Sequence, residues 1–371
     1  MSGRRETYRN WEAKAGMDDF IFEARPARVL FGAGSRNRLG QEAGLLGMTR
    51  AMIVTTASQV AEASRLADQL GPLCQTIFAR AAMHTPVAVT DEAMAEVERL
   101  RIDGIIALGG GSAIGLGKAI ALRTGLDQIA LPSTYAGSEM TPILGETQDG
   151  RKVTRSDPAI LPETVIYDVE LTATLPPSVA AVSGVNAMAH AIEALYARDR
   201  NPVVTMLALE SIRALFNALP RLATNDDVQD AREQTLYGAF LAGRCLGAVG
   251  MALHHKLCHV LGGLFGLPHA PLHTALLPHA LAYNAPAIPD ALLALEPILG
   301  ACAPQALFDM NQRLGAIPAL RDLGMPLEGI EPAVDQALAT PYWNPQALDR
   351  SKLTNLLRRV WAGDAPYSPP L

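Results

Sequence analysis

The chain is predicted to fold as an α/β domain with a mostly parallel, Rossmann-like sheet, followed by an all-helical domain. Three observations predict this. Short apolar runs alternate with helical stretches from about residue 20 to 170, the pattern of βαβ units. One of those runs ends directly in a glycine-rich turn. Beyond LTATLPP (171–177) strand alternation stops, and helical periodicity continues to residue 360.

Taken in order, 20–23 and 28–31 flank a proline and predict a hairpin or strand pair. AMIVT (51–55) is a compact strand run, followed by a helix over 60–70 and a strand over 74–78. The next helix is expected over 91–100, with Thr90 as its N-cap and Asp91 in its first turn. GIIAL (104–108), 128–131 and 164–168 complete the strands. Helices are expected over 179–197, 202–216, 230–248 and 253–265. The domains are therefore drawn as an extension over 1–17, an α/β unit over 18–176 and a helical unit over 177–371. The length of 371 residues suits two domains.

Composition narrows the function. Hydrophobic residues make up 49% and charged residues 18%, which supports large cores and argues against disorder. A net charge of −6 argues against nucleic-acid binding, which calls for a basic patch. No run of about eighteen uninterrupted apolar residues occurs, so no membrane span is expected. Residues 1–16 have no apolar core and do not read as a secretory signal. The four cysteines are scattered without a CxxC pair, which suits a reducing cytoplasm.

Residues 104–121, GIIALGGGSAIGLGKAIA, run from strand through Gly109, Gly110, Gly111 and Ser112 into a helix expected to begin near Ala113. Glycines let backbone amides approach a phosphate, and a helix N-terminus adds free N–H donors and a favourable dipole. That combination suits a dinucleotide pyrophosphate, although a tight turn without ligand uses the same residues. A Walker A loop is excluded, because Ser112 stands where its first glycine should be and Ala119 where a Ser or Thr is needed. A second polar loop, PSTYAGSEMTP (132–142), follows the next strand. Open α/β sheets bind ligands at such strand ends. Thr134, Ser138 and Thr141 are its candidate cofactor hydroxyls; an ordinary capped loop would look the same.

Of eight histidines, seven lie between His190 and His279. Asn186 and His190 share a helix face, with Glu193 three residues further on, and His255 and His259 repeat the i, i+4 relation on a second helix. His269 follows in the expected loop GLPHAPLH. Taken singly, each reads as a core or surface histidine; together they read as a site. Three imidazoles with an open position can hold Zn²⁺ or Fe²⁺. Asn186, however, is neutral where a carboxylate would complete a hard-cation site. His254, His273 and His279 have no evident partner and are expected to be structural.

From about residue 19 to 360 the chain resembles the iron-containing (group III) alcohol dehydrogenase family, which shares its fold with dehydroquinate synthase. The motifs are GGGS at 109–112, the Asn186/His190 helix and His255-x3-His259-x9-His269. In metal-dependent members the ligands fall at positions matching Asn186, His190, His255 and His269, with Asp at the first. Four long strings, GGGSAIGLGKAIALRTG, PSTYAGSEMTPILGETQDG, NAMAHAIEALYARD and GMALHHKLCHVLGG, are similar to one branch of the family understood to work without metal.

The resemblance implies reduction, by NADH or NADPH, of a carbon–carbon double bond conjugated to a ketone. The substrate is a small dianion from the breakdown of aromatic compounds, and a cytoplasmic homodimer is expected. His190, His255, Lys256, His259 and His269 are the implied catalytic candidates. His259 or His255 is the expected proton donor, and Lys256, with Arg244 behind it, pairs with a substrate carboxylate. Thr56 follows the early strand where NAD-specific relatives carry an acid, so a 2′-phosphate is tolerable and both cofactors are expected. The rivals are a metal-dependent alcohol or glycerol dehydrogenase, an NAD-using lyase of dehydroquinate synthase type, and a non-catalytic nucleotide-binding protein.

Overall fold

The computed structural model describes residues 20, 22, 28–148, 151–224, 228–316, 319–339 and 342–366. The expected extension over 1–17 lies outside them.

The N-terminal half alternates β1 (Arg28–Phe31), α1 (Leu39–Leu45), β2 (Ala51–Val54), α2 (Val60–Leu70), β3 (Cys74–Phe78), α3 (Val87–Leu100), β4 (Gly104–Gly109), α4 (Gly111–Thr124) and β5 (Asp127–Pro132). A hairpin, β6 (Ile143–Gln148) and β7 (Arg151–Ser156), precedes β8 (Thr164–Tyr167). Six strands form one sheet in the order β1-β8-β5-β4-β2-β3, and every pairing is parallel. β2 and β4 are buried along their whole length, as a parallel sheet covered on both faces requires. The chain reverses direction across the sheet between β2 and β4. Such a switch point opens a crevice at the carboxyl ends of the strands.

Three expectations are corrected here. β1 pairs in parallel with β8; residues 20–23, its expected neighbour, lie largely outside the described residues. α3 begins at Val87 with Pro86 at the N-cap, so Thr90 sits inside the helix, its hydroxyl turned back to the Pro86 carbonyl. The β6–β7 hairpin was not anticipated. Its strands carry few apolar residues, and the available signal was the turn dipeptide Asp149-Gly150 between them.

The C-terminal half is helical: α5 (Pro177–Leu195), α6 (Pro202–Thr224), α7 (Val228–Ala248), α8 (Leu253–Phe265), α9 (His269–Asn284), α10 (Pro289–Leu299), α11 (Ala303–Arg313), α12 (Ile330–Ala339) and α13 (Arg350–Ala362). α5 is buried nearly all round, from Ala180 to Leu195, and forms the axis of the largest core. α6 corrects the expectation about membranes, because its 23 residues are long and apolar enough to cross one. Here its apolar face is buried with α5 and α7, while Glu210 and Arg213 pair at 2.6 Å on the exposed side.

Candidate functional site

The glycine turn is built as a cradle. Gly109, at φ 144°, has a backbone geometry that side chains rarely adopt, and a Cβ there would also meet Ala113 at 3.0 Å. Gly110 is the N-cap of α4, so the helix starts at Gly111, two residues before the expected Ala113. A Cβ on Gly110 would lie 2.9 Å from the Thr134 side chain, whereas Gly111 faces open space. The amides at the start of α4 are thus exposed beside Ser112, where a pyrophosphate can reach them. Gly115 lets Thr85 close over the helix, since a Cβ there would meet its hydroxyl at 2.4 Å.

Thr56 is half-buried at the end of β2, across the switch point from this turn, and its hydroxyl pairs with Ser58 at 3.0 Å. Thr55 beside it is buried and donates to the Leu108 carbonyl at 2.8 Å, tying β2 to β4.

The loop after β5 links this cradle to the histidines. Thr134 packs on Gly110, and Gly137, at φ 76°, would place a Cβ 3.7 Å from His190 Nδ1. Lys118, fully buried on α4, holds the loop. Its ammonium donates to the Ser138 carbonyl, to the Thr141 carbonyl at 2.7 Å and to the Ile143 carbonyl at 3.1 Å. Thr141 is buried and its hydroxyl serves this internal network, also donating to the Ser138 carbonyl at 3.1 Å. Ser138 and Thr134 stay half-exposed toward the cleft. Sequence reasoning met Lys118 only as a failed Walker lysine and missed this anchoring role.

Three helices bring the imidazoles together. His190 on α5 stacks on His255 of α8, with centroids 5.0 Å apart. His273 of α9 stands edge-on to His255 at 5.1 Å, and His269 lies 4.2 Å from His273. His269 is not in a loop: it is the first residue of α9, behind the N-cap Pro268. Pro271 did not prevent a helix, because proline is tolerated in a first turn.

His254 and His273 are also corrected. Rather than lacking partners, they share a hydrogen bond of 3.0 Å, with Cys258 Sγ 3.7 Å from His254. His279 stands apart, beside Phe308. Burial, reinforced by neighbouring imidazoles, pushes His190, His254 and His273 well below the usual histidine range, so they are neutral at pH 7.

His259 and His269 are exposed. Lys256, half-buried, has its ammonium 5.2 Å above the Tyr342 ring. Glu193, fully buried one helical turn from His190, contacts His255 Nδ1 at 2.6 Å.

The metal positions of the family carry four neutral donors here: Asn186, His190, His255 and His269. Asn186 Oδ1, His190 Nδ1 and His255 Nε2 are buried without a hydrogen-bond partner. Buried polar atoms left without a partner call for an explanation, and a polar guest is one. Glu193, a carboxylate in contact with the cluster, is spent on the start of α8 and on His255. A divalent cation at these positions would rest on three imidazoles and the neutral Asn186, without the carboxylate that the resemblance gives to metal-dependent members, and would be held more weakly for it.

Comparison with known proteins bears on the family and the fold. Residues 26–169 match the family model for iron-containing alcohol dehydrogenase, and residues 180–361 match that for the C-terminal part of the Fe-containing alcohol dehydrogenase family. The chain is 49% identical over 350 residues to maleylacetate reductase of Rhizobium sp. strain MTP-10005, covering 94% of this chain and 100% of that protein. It is 50% identical over 351 residues to maleylacetate reductase of Burkholderia cepacia, with the same coverage. The crystal structure of maleylacetate reductase from Agrobacterium tumefaciens superposes with a TM-score of 0.92 at 49% identity, over 94% of this chain and 100% of that one.

Proposed function

As the chain belongs to the iron-containing alcohol dehydrogenase family, we propose that it reduces the carbon–carbon double bond of maleylacetate to give 3-oxoadipate, with NADH or NADPH as reductant and without a metal. One observation carries this reading: near-50% identity along the full length of relatives that act on maleylacetate. The neutral donor set at the metal positions supports metal independence.

A reduced nicotinamide, when bound, would supply a hydride for the carbon β to the ketone, and the substrate would become an enolate. The chain must then bind two carboxylates, stabilise the enolate oxygen and deliver a proton to the carbon α to the ketone. Gly110, Gly111 and Ser112 hold the pyrophosphate at the start of α4, with Thr134 and Ser138 toward the cleft. His190, His255, His259 and His269 belong to the histidine cluster, where imidazole N–H groups can stabilise an enolate oxygen. His255 or His259 delivers the proton. Lys256 and Arg244 are the cations for the carboxylates. The parting of the chain at 176/177 supports separate roles, cofactor before it and substrate after it. We take the working unit to be a cytoplasmic homodimer, as the family resemblance implies.

Following NADH absorbance with freshly prepared maleylacetate, with and without EDTA, tests the reading. Rapid oxidation indifferent to EDTA is expected. Activity abolished by EDTA and restored by Fe²⁺ or Zn²⁺ would instead identify a metal-dependent dehydrogenase. No net NADH consumption would refute the reduction. Catalytic efficiencies with NADH and NADPH should agree within about a hundredfold, roughly 2.7 kcal/mol.

A further inference from the structure

We propose that Glu193 is a positioning residue that accepts a hydrogen bond from His255 Nδ1–H and so turns Nε2, the nitrogen left to take up and hand on a proton, toward the substrate. The inference rests on the reductase reading for its kinetic consequences, though not for its geometry. Glu193 is fully buried on α5 and spans to α8 with both oxygens. One oxygen accepts the His254 backbone N–H at 2.8 Å; the other accepts the Ala252 N–H at 3.0 Å and meets His255 Nδ1 at 2.6 Å. A carboxylate already holding two backbone donors can only accept, so Nδ1 must carry the hydrogen. His255 Nε2 is then the ring's functional atom, and it is buried without a partner in the protein.

The same carboxylate caps the start of α8, where backbone N–H groups lack helical partners. It therefore fixes the position of the helix and the orientation of the ring together. His190, one turn before Glu193, stacks on the ring from the other side. His255 is thus held between a hydrogen bond and a stacked neighbour, the arrangement that orients an imidazole for chemistry at its far nitrogen.

Glu193→Gln keeps the volume and removes the charge. Its kcat for maleylacetate should fall about 10–100-fold, the usual cost of losing such an outer partner, with KM changed less than about threefold. In a His255→Ala background the same change should alter kcat less than about threefold, because the residue through which it acts is gone. A loss of equal size in both backgrounds, or a kcat within threefold of the parent, overturns the proposal. Should the variants fail to fold, the unaltered enzyme decides. A long-range ¹H–¹⁵N spectrum of histidine-labelled protein near pH 8 must show a proton on His255 Nδ1, and a bare Nδ1 overturns the proposal. That readout needs no turnover, so it separates failure of this inference from failure of the reductase reading.

Discussion

At the scale of single residues, the glycine turn was legible because its chemistry is local. A strand, three glycines and a helix are contiguous, so the turn can be read without any distant residue. The partner of Gly110 was not legible, since Thr134 arrives from the next βα connection. This contact yields a prediction. Gly110→Ala would push a methyl to 2.9 Å from Thr134, shifting the amides that face the cofactor. NADH affinity should fall at least about tenfold, or 1.4 kcal/mol, in a fluorescence titration. Adding Thr134→Ala should return part of it, and no recovery would place the fault elsewhere. Asn186 was legible for the opposite reason: a neutral residue stands where a charge is expected. Asn186→Asp should raise Zn²⁺ affinity at least about tenfold, because a carboxylate attracts a divalent ion by several kcal/mol even at an effective dielectric near 20. Isothermal titration of the two proteins would check it, and equal affinities would show that residue 186 takes no part in holding the ion.

At the scale of elements, period and length revealed the helices, whereas contacts between elements stayed hidden. His254 and His273 lie nineteen residues apart on different helices, and nothing in either segment announces the other. The junction of α7 with the loop after β5 is similar. Gly243 and Gly247 lie on one face of α7, and a Cβ on Gly247 would come within 2.3 Å of the Met140 carbonyl. Backbone cannot yield there as a side-chain tip can, so Gly247→Ala must move the helix or the loop. We expect a stability loss of about 1–3 kcal/mol, as for overpacking. kcat/KM should fall as well, because the loop carries Gly137 against His190. Gly263→Ala on α8 is the control. Nothing lies within 4 Å of its added methyl, so helix propensity alone should leave stability unchanged or raise it by about 1 kcal/mol. Thermal melts of both variants decide, and two similar melting temperatures would refute the tight junction.

At the scale of the whole molecule, the clustered histidines couple the site to stability. A hydrophobic shell that keeps imidazoles neutral does so for the folded chain alone. His279, pushed down to about 4 by burial, is held neutral in the same way as His190, His254 and His273. Unfolded, each takes up a proton near 6.5. Below that pH the unfolded chain therefore binds more protons than the folded one, and stability falls as the pH falls. For His279 the gap between 6.5 and about 4 amounts to about 3 kcal/mol, complete once the pH has passed below 4. Buried Glu139 works the other way: burial raises its carboxyl, which gains a proton more readily in the folded chain than in the unfolded one. Glu163, also raised by burial, acts with it, so among the described residues two carboxyls oppose four imidazoles and the net slope follows the histidines. Denaturant unfolding at pH 7 and pH 5 should show a marked loss of stability at the lower value. His279→Leu, at a residue that packs on Phe308 and not on the other imidazoles, should make that loss shallower while leaving turnover at pH 7 within about twofold of the parent. Stability that is flat or rising between pH 7 and 5 would mean that the imidazoles are not held neutral. The cluster would then be solvated, and the poised, unpartnered nitrogens facing the cleft would already be satisfied by water.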